Sequence, residues 1–327
     1  ENPYGASPKA IELLETKNIN NDLHRYPEID GSSLREAIAK NFSIDSNRII
    51  LGSGSDEILL FAALAFCQDG DEILHANHGF EMYSIVSKVV GAVPKKIEED
   101  VNFNLNIENL IDQTNESTKV IYIASPNNPT GTYLSRDQLV KLMKSISKNI
   151  IVVIDGAYVE YVQKDDYDKG FSLADEYENI ILTRTFSKTY GLAALRVGWC
   201  YTSQKIADII NKIKPPFNTT TISQSLAIKA LQDKDHIESS VKLNFEIKNW
   251  FEEELKLLNI KTRQTEGNFT LIETSEDEAE KISNHLMDDG IIIRRLNSYN
   301  LPNFLRISIG TKEEMTMTLE SLKKLNV

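Results

Sequence analysis

Ile180-Ile181-Leu182-Thr183-Arg184-Thr185-Phe186-Ser187-Lys188-Thr189-Tyr190-Gly191 begins as a short β-branched apolar run and ends in a polar turn closed by glycine. A run too short for a helix and apolar at successive positions predicts a strand buried on both faces. The polar turn then stands at the strand's end, with Arg196 eight residues beyond Lys188. The same pattern recurs through the first two-thirds of the chain. Residues 48–51 (R-I-I-L) run into Gly52, and 55–67 reads as a helix with Ile58, Leu59, Ala62 and Ala63 on its apolar face. Residues 72–75, 120–124 and 150–154 are further short runs, most followed by Gly, Pro or Asn and then a helix-like segment. Buried strands alternating with helices predict an α/β unit, a mainly parallel sheet flanked by helices.

Pro215-Pro216 must interrupt any helix, and the pattern changes after it. Residues 227–258 place Leu, Ile, Val, Phe and Trp at helical spacing, and 269–327 holds two or three short strands and two helices. That is a smaller α+β domain, with which the N-terminal segment is expected to pack. The expected division is a large domain over 21–240 and a small one made of 1–20 and 241–327.

A formal charge of −12 argues against a nucleic-acid partner, which needs a basic face. No stretch of 18 apolar residues is present, so no membrane span is expected. Cys67 and Cys200 stand in apolar surroundings and fit buried thiols in a reducing, cytoplasmic setting. The chain opens at Glu1 rather than Met, and further residues upstream are an open expectation. His24, His75, His78, His236 and His285 lack ligand spacing, so no metal is expected.

Four strand ends carry unusual polar residues: Gly52-Ser53-Gly54-Ser55-Asp56-Glu57, Ser125-Pro126-Asn127-Asn128-Pro129-Thr130-Gly131, Asp155-Gly156-Ala157-Tyr158, and the Lys188 turn. Each alone has a plain structural reading. A Gly-Ser run before a helix is a turn with an N-cap, an Asp at a strand end is a turn former, and a lone lysine is a solvated charge. Together, at successive strand ends where doubly wound sheets bind ligands, they point to one chemistry.

The combination resembles the fold-type I aminotransferases that use pyridoxal phosphate (PLP), and within them the histidinol-phosphate aminotransferase family. The likeness runs from Glu1-Asn2-Pro3 to Leu305-Arg306-Ile307-Ser308-Ile309-Gly310, and is most specific in S-P-N-N-P-T-G and T-F-S-K-T-Y-G. It implies that Lys188 carries PLP as a Schiff base and then shuttles the substrate's α-proton. Asp155 would face the pyridine nitrogen and keep it protonated. Tyr158 and Asn128 would bond the phenolic oxygen, and Phe80 would stack on the ring, where many relatives have Tyr. Tyr83 reads as core or wall. Backbone N–H groups at Ser55 and Asp56, the hydroxyls of Thr185 and Ser187, and Arg196 would hold the cofactor phosphate.

The resemblance further implies a homodimer in which Tyr26 reaches the partner's phosphate, and a substrate site that includes Asn2, Asn128, Arg294 and Arg306. Arg306 would grip the substrate's anionic end, and Arg294 the phosphate of histidinol phosphate. The two stand twelve residues apart, one fewer than in some relatives, so Arg295 is an alternative to Arg294. Relatives also use a tyrosine from a segment preceding Glu1. The implied reaction converts L-histidinol phosphate and 2-oxoglutarate to imidazole-acetol phosphate and glutamate, a step of histidine biosynthesis. An aromatic-amino-acid aminotransferase or a related decarboxylase of a phosphorylated amino acid is the second reading, since a ring pocket discriminates such substrates only modestly. A non-catalytic regulator of the same fold is the third, disfavoured by the presence of both Lys188 and Asp155.

Overall fold

The computed structural model describes residues 1–16 and 23–325; the domain boundary expected at residues 20/21 lies outside the described residues. Two helices, α1 (Pro8–Glu15) and α2 (Ser32–Phe42), precede the large sheet. It is built from β1 (Ile49–Gly52), α3 (Ser55–Phe66), β2 (Glu72–Ala76), α4 (Met82–Val89), β3 (Val93–Ile97), α5 (Ile107–Asp112) and β4 (Thr118–Ala124). It continues through α6 (Arg136–Ser145), β5 (Ile151–Asp155), α7 (Phe171–Glu176), β6 (Ile180–Thr185) and β7 (Gly198–Thr202). Three helices, α8 (Gln204–Ile213), α9 (Thr221–Leu231) and α10 (Lys234–Leu257), lead to the smaller unit. That unit contains β8 (Lys261–Arg263), β9 (Phe269–Glu273), α11 (Glu276–Asp288), β10 (Arg294–Leu296), β11 (Leu301–Ser308) and α12 (Lys312–Lys324).

The large sheet has seven strands in the order β1-β7-β6-β5-β4-β2-β3. Pairing is parallel from β3 through β6, and β7 alone runs against its neighbours β6 and β1. The central strands are buried on both faces because their side chains alternate between two cores. Ile121, Ile123, Val152, Ile154, Ile180 and Leu182 enter one core, while Val120, Tyr122, Ile151, Val153 and Ile181 enter the other. The small sheet is antiparallel in the order β10-β11-β9-β8 and packs its own core against α10, α11 and α12. The architecture is the expected α/β unit with a smaller α+β partner.

Two strands of the large sheet escape the apolar-run criterion, as does β8 (K-T-R) of the small one, which lies ahead of the expected 269–327. β3 (V-P-K-K-I) is an edge strand whose lysines blunt the sheet, as edges require, and β7 opens on a glycine. The helical stretch at 227–258 is two helices, broken at Gln232 and Asp233. There the Asp233 carboxylate accepts from the Ser7 hydroxyl at 2.7 Å, fastening the N-terminal segment. That segment touches both units: Ala10 of α1 lies in the large core and Tyr4 packs on the small one. No described helix is long and apolar enough to cross a membrane.

Candidate active site

The C-terminal ends of β4, β5 and β6 open onto a cavity of about 610 Å³, the place where an open parallel sheet presents its loops. The register sets Ala124 opposite Asp155 and Asp155 opposite Thr183, so β4 and β5 stop level and β6 runs two residues further, to Thr185. At their centre is Asp155, which is buried. Thr183 Oγ1 donates to its Oδ1 at 2.9 Å and the Tyr83 hydroxyl donates to its Oδ2 at 3.0 Å. Burial pushes this carboxyl above the usual range, while the Thr183 and Tyr83 donors and the Arg184 guanidinium pull against that push.

The turn after β6 delivers Lys188, whose Nζ sits 5.5 Å from the centroid of the Tyr158 ring. Gly191 closes that turn at φ +70°, and a Cβ there would overlap the Gly5 carbonyl. The N-terminal segment therefore lies directly over the lysine turn. It is tied down by Asn2, whose Nδ2 donates to the Thr189 carbonyl at 2.9 Å and to Ser240 Oγ at 3.1 Å. Both amide hydrogens of Asn2 are thus committed, so although Asn2 borders the cavity it offers a substrate no amide proton.

On another side α3 points its N-terminus at the cavity. Its N-cap is Gly54, at φ +80° and without a side-chain cap, so the first-turn N–H groups remain for a ligand. Ser55 and Asp56 line the cavity there together with Thr185, Ser187 and Arg196. Arg196 bonds Ser187 Oγ at 3.3 Å and pairs with Asp56 Oδ2 at 3.2 Å. A Cβ on Gly54 would overlap that guanidinium. Uncapped N–H groups, two hydroxyls and an arginine within one corner make an anion cradle. Phe80 and Asn128 line the remaining walls.

The rim comes from the small sheet. Arg306 of β11 donates through Nη1 to Asn128 Oδ1, lies 5.3 Å from the Phe269 ring, and leaves its buried Nε without a partner among the described residues. Arg294 stands directly opposite Arg306 across the β10–β11 pair and therefore on the same face. It is half-exposed, 3.7 Å from Glu81 Oε2. Arg295 projects to the other face, 3.7 Å from Glu280 of α11. The pairing is regular through both arginines, which therefore face opposite ways, and slips only after them, between Arg295 and Leu296.

Of the residues expected at the site, Lys188, Asp155, Tyr158, Asn128, Phe80, Ser55, Asp56, Thr185, Ser187, Arg196 and Asn2 converge on the cavity. Arg306 joins them through Asn128, and Arg294 stays at the rim. Tyr26 is 81% exposed and stacks on Phe217 at 4.6 Å, away from the cavity lining of its own chain. Sequence reasoning missed Thr183 and the polar role of Tyr83. Both depend on register and on the packing of distant segments, which no local pattern carries. Thr183 is the position at which a strand parallel to β5 faces Asp155, and Tyr83 stands one helical turn beyond Phe80. Among the described residues no group of three His, Cys, Asp or Glu side chains is placed to hold a metal ion.

A lysine turn, a buried strand-end carboxylate and an anion cradle on such a sheet define a PLP-type aminotransferase fold and site. Residues 1–322 match the family model described as aminotransferase class I and II. The chain is 38% identical to a histidinol-phosphate aminotransferase of Roseobacter denitrificans, over 99% of this chain and 89% of that one. It is 39% identical to one of Dinoroseobacter shibae, over 96% and 86%. The chain belongs to the class I and II aminotransferases and, within them, to the histidinol-phosphate aminotransferase family. Its fold superposes with a TM-score of 0.93, at 23% identity, on the histidinol-phosphate aminotransferase of Sinorhizobium meliloti solved in complex with pyridoxal-5'-phosphate, covering 100% of this chain and 89% of that one.

Proposed function

We propose that this chain transfers the amino group of L-histidinol phosphate to 2-oxoglutarate through PLP, giving imidazole-acetol phosphate and glutamate in histidine biosynthesis. The observation that carries it is the convergence of Lys188, Asp155 and the α3 cradle on one cavity in a chain of this family. The residues fit the cofactor. The cavity is of ordinary small-molecule size, the uncapped helix start suits a phosphate, and a buried carboxylate stands ready for a ring nitrogen.

When bound, PLP supplies an electron sink for the charge left on the substrate's α-carbon. Lys188 would hold the cofactor covalently and, once displaced, its Nζ would take the α-proton and return it on the other side of the exchange. The Asp155 carboxylate would keep a proton on the ring nitrogen, and Tyr158 and Asn128 would donate to the phenolic oxygen. Ser55, Asp56, Thr185, Ser187 and Arg196 would hold the phosphate, each charge-assisted bond contributing about 1.5–3 kcal/mol. Arg306 would take the anionic end shared by the substrates. Arg294 rather than Arg295 would take the second anion, since it shares a face with Arg306. Two arginines suit both glutamate and a phosphate monoester.

We further infer a cytoplasmic homodimer. Leu23, Tyr26 and Ile29 are 59%, 81% and 60% exposed on one short segment, a surface fit for a second copy. The free thiols of Cys67 and Cys200 suit a reducing compartment. Sedimentation at rising concentration checks the dimer. Mixing Tyr26→Ala with Lys188→Ala chains then checks the shared site: restored turnover in the mixture supports it, and none counts against it.

The test of function is the absorbance of purified protein with PLP, titrated with L-histidinol phosphate and, in parallel, with L-phenylalanine. Loss of the visible band of the lysine-linked cofactor at far lower histidinol phosphate than phenylalanine supports the assignment. Equal responses would make the enzyme dual in specificity, and absence of any visible band overturns the role given to Lys188.

A further inference from the structure

The proposed chemistry makes no use of a histidine–carboxyl pair buried beside the cavity. Glu99, just past β3, has a side chain 2% exposed, and its Oε2 meets His78 Nδ1 at 2.5 Å. The same oxygen accepts from the His78 backbone N–H at 3.2 Å. A buried carboxyl group is costly unless it is partnered, and here one residue supplies both contacts. Glu99 thus fixes the ring and the main chain of His78 together. The His78 carbonyl in turn accepts from Asn127 Nδ2 at 3.1 Å, an amide that also reaches Thr130 Oγ1 at 2.7 Å. Asn127 is buried and immediately precedes Asn128, while Phe80 lies two residues beyond His78.

The pair therefore stitches together the ends of three neighbouring strands, β3, β2 and β4. A fourth attachment reaches the small unit. The His78 ring meets Phe103 edge-on at 5.4 Å, and Phe103 meets Phe304 of β11 at 5.2 Å. Phe103 holds φ +64°, a left-handed conformation rare for a bulky residue, which persists only where the surroundings over-determine it. Its carbonyl accepts from Thr132 Oγ1 at 2.9 Å, so the strap returns to the loop that bears Asn128.

We propose that His78 and Glu99 are positioning residues of the transamination site, holding the Phe80 turn and the Asn127–Asn128 turn in one fixed relation. The proposal rests on the reading that Phe80 and Asn128 face the cofactor. Neither His78 nor Glu99 lines the cavity, so any effect on chemistry passes through those two neighbours.

The experiment compares wild type with Glu99→Ala, His78→Ala and His78→Asn in the full chain. The asparagine amide nitrogen can stand in for Nδ1. PLP affinity is read from the visible band, kcat and KM from turnover, and amide hydrogen exchange over 77–81 and 125–131 from cofactor-free protein. In Glu99→Ala and His78→Ala, PLP affinity and kcat fall about ten- to hundredfold, the scale of a small misplacement at a reacting centre, and KM moves less than about twofold. Exchange quickens in both turns at once, and His78→Asn recovers most of the loss. Wild-type behaviour in the alanine variants overturns the proposal, as does faster exchange in the substituted turn alone or equal loss in His78→Ala and His78→Asn. Should Glu99→Ala fail to fold, Glu99→Gln carries the same expectation at smaller size. If wild type itself shows no visible band, the cofactor reading fails, and the exchange measurement still decides the coupling.

Discussion

Asp155 has to stay ionised in a place that disfavours charge. Burial raises its carboxyl, and relief comes from Thr183 and Tyr83, with Arg184 opposed by Asp56. Tyr83 has nothing else to do with its hydroxyl: it is fully buried and stacked on Tyr122 at 4.9 Å, whose own hydroxyl is spent on the Leu59 carbonyl. Removing that donor with Tyr83→Phe raises the carboxyl further, so the acid limb of the kcat/KM profile should move to higher pH. An unmoved limb would mean that Tyr83 only fills space. Stability should behave in the opposite sense to activity. A carboxyl raised on folding makes the native state bind more protons, so stability falls as pH climbs from the usual carboxylate value through the raised one. Asp155→Asn removes that loss. Urea unfolding of cofactor-free protein should find it more stable than wild type near neutrality by about 0.5–2 kcal/mol, with the gap closing below about pH 4, while turnover collapses.

At the scale of elements, the start of α3 is the part most exposed to a single change. Gly54→Ala forces a positive-φ residue to carry a Cβ and drives it into Arg196. PLP affinity by equilibrium dialysis should fall at least about tenfold, with a strain cost of about 1–3 kcal/mol in unfolding experiments. Unchanged affinity would remove the cradle from the cofactor's binding. The elements bearing the site were legible in sequence because their strands are buried on both faces and read as unbroken apolar runs. Residues 120–124, 150–154 and 180–183 fall within or beside β4, β5 and β6 for that reason. The edge strand β3 is not buried on both faces, and the reversed strand β7, though fully buried, opens on glycine and has no aliphatic run, so neither was legible. Side-chain partnerships that depend on register were also hidden. The union of Thr183 and Tyr83 on Asp155 and the sealing of Asn2 by Thr189 and Ser240 need the tertiary alignment of distant segments.

Across the whole molecule, the residues we assign to the cofactor belong to the large unit and the arginines we assign to substrate to the small sheet, with Arg306–Asn128 and Phe103–Phe304 crossing between them. We propose that the two units divide near residue 240, inside α10, as the sequence suggested; the described part of residues 1–20, counted there with the small domain, is better read as a segment that touches both, since Ala10 packs on the large core and Tyr4 on the small one. Arg306→Ala should lower kcat/KM about ten- to hundredfold, the loss of one charge-assisted pair, and leave the visible band intact. Arg294→Ala should penalise histidinol phosphate and spare phenylalanine; an equal loss on both would make Arg294 a structural rim residue. The bulge between Arg295 and Leu296 adds a consequence for descent. Side chains on a strand alternate faces, so a slip of one residue exchanges Arg294 for Arg295 at the rim. A lineage could therefore hand its second anion contact from one arginine to the next through a one-codon insertion or deletion in β10, with every arginine codon left untouched.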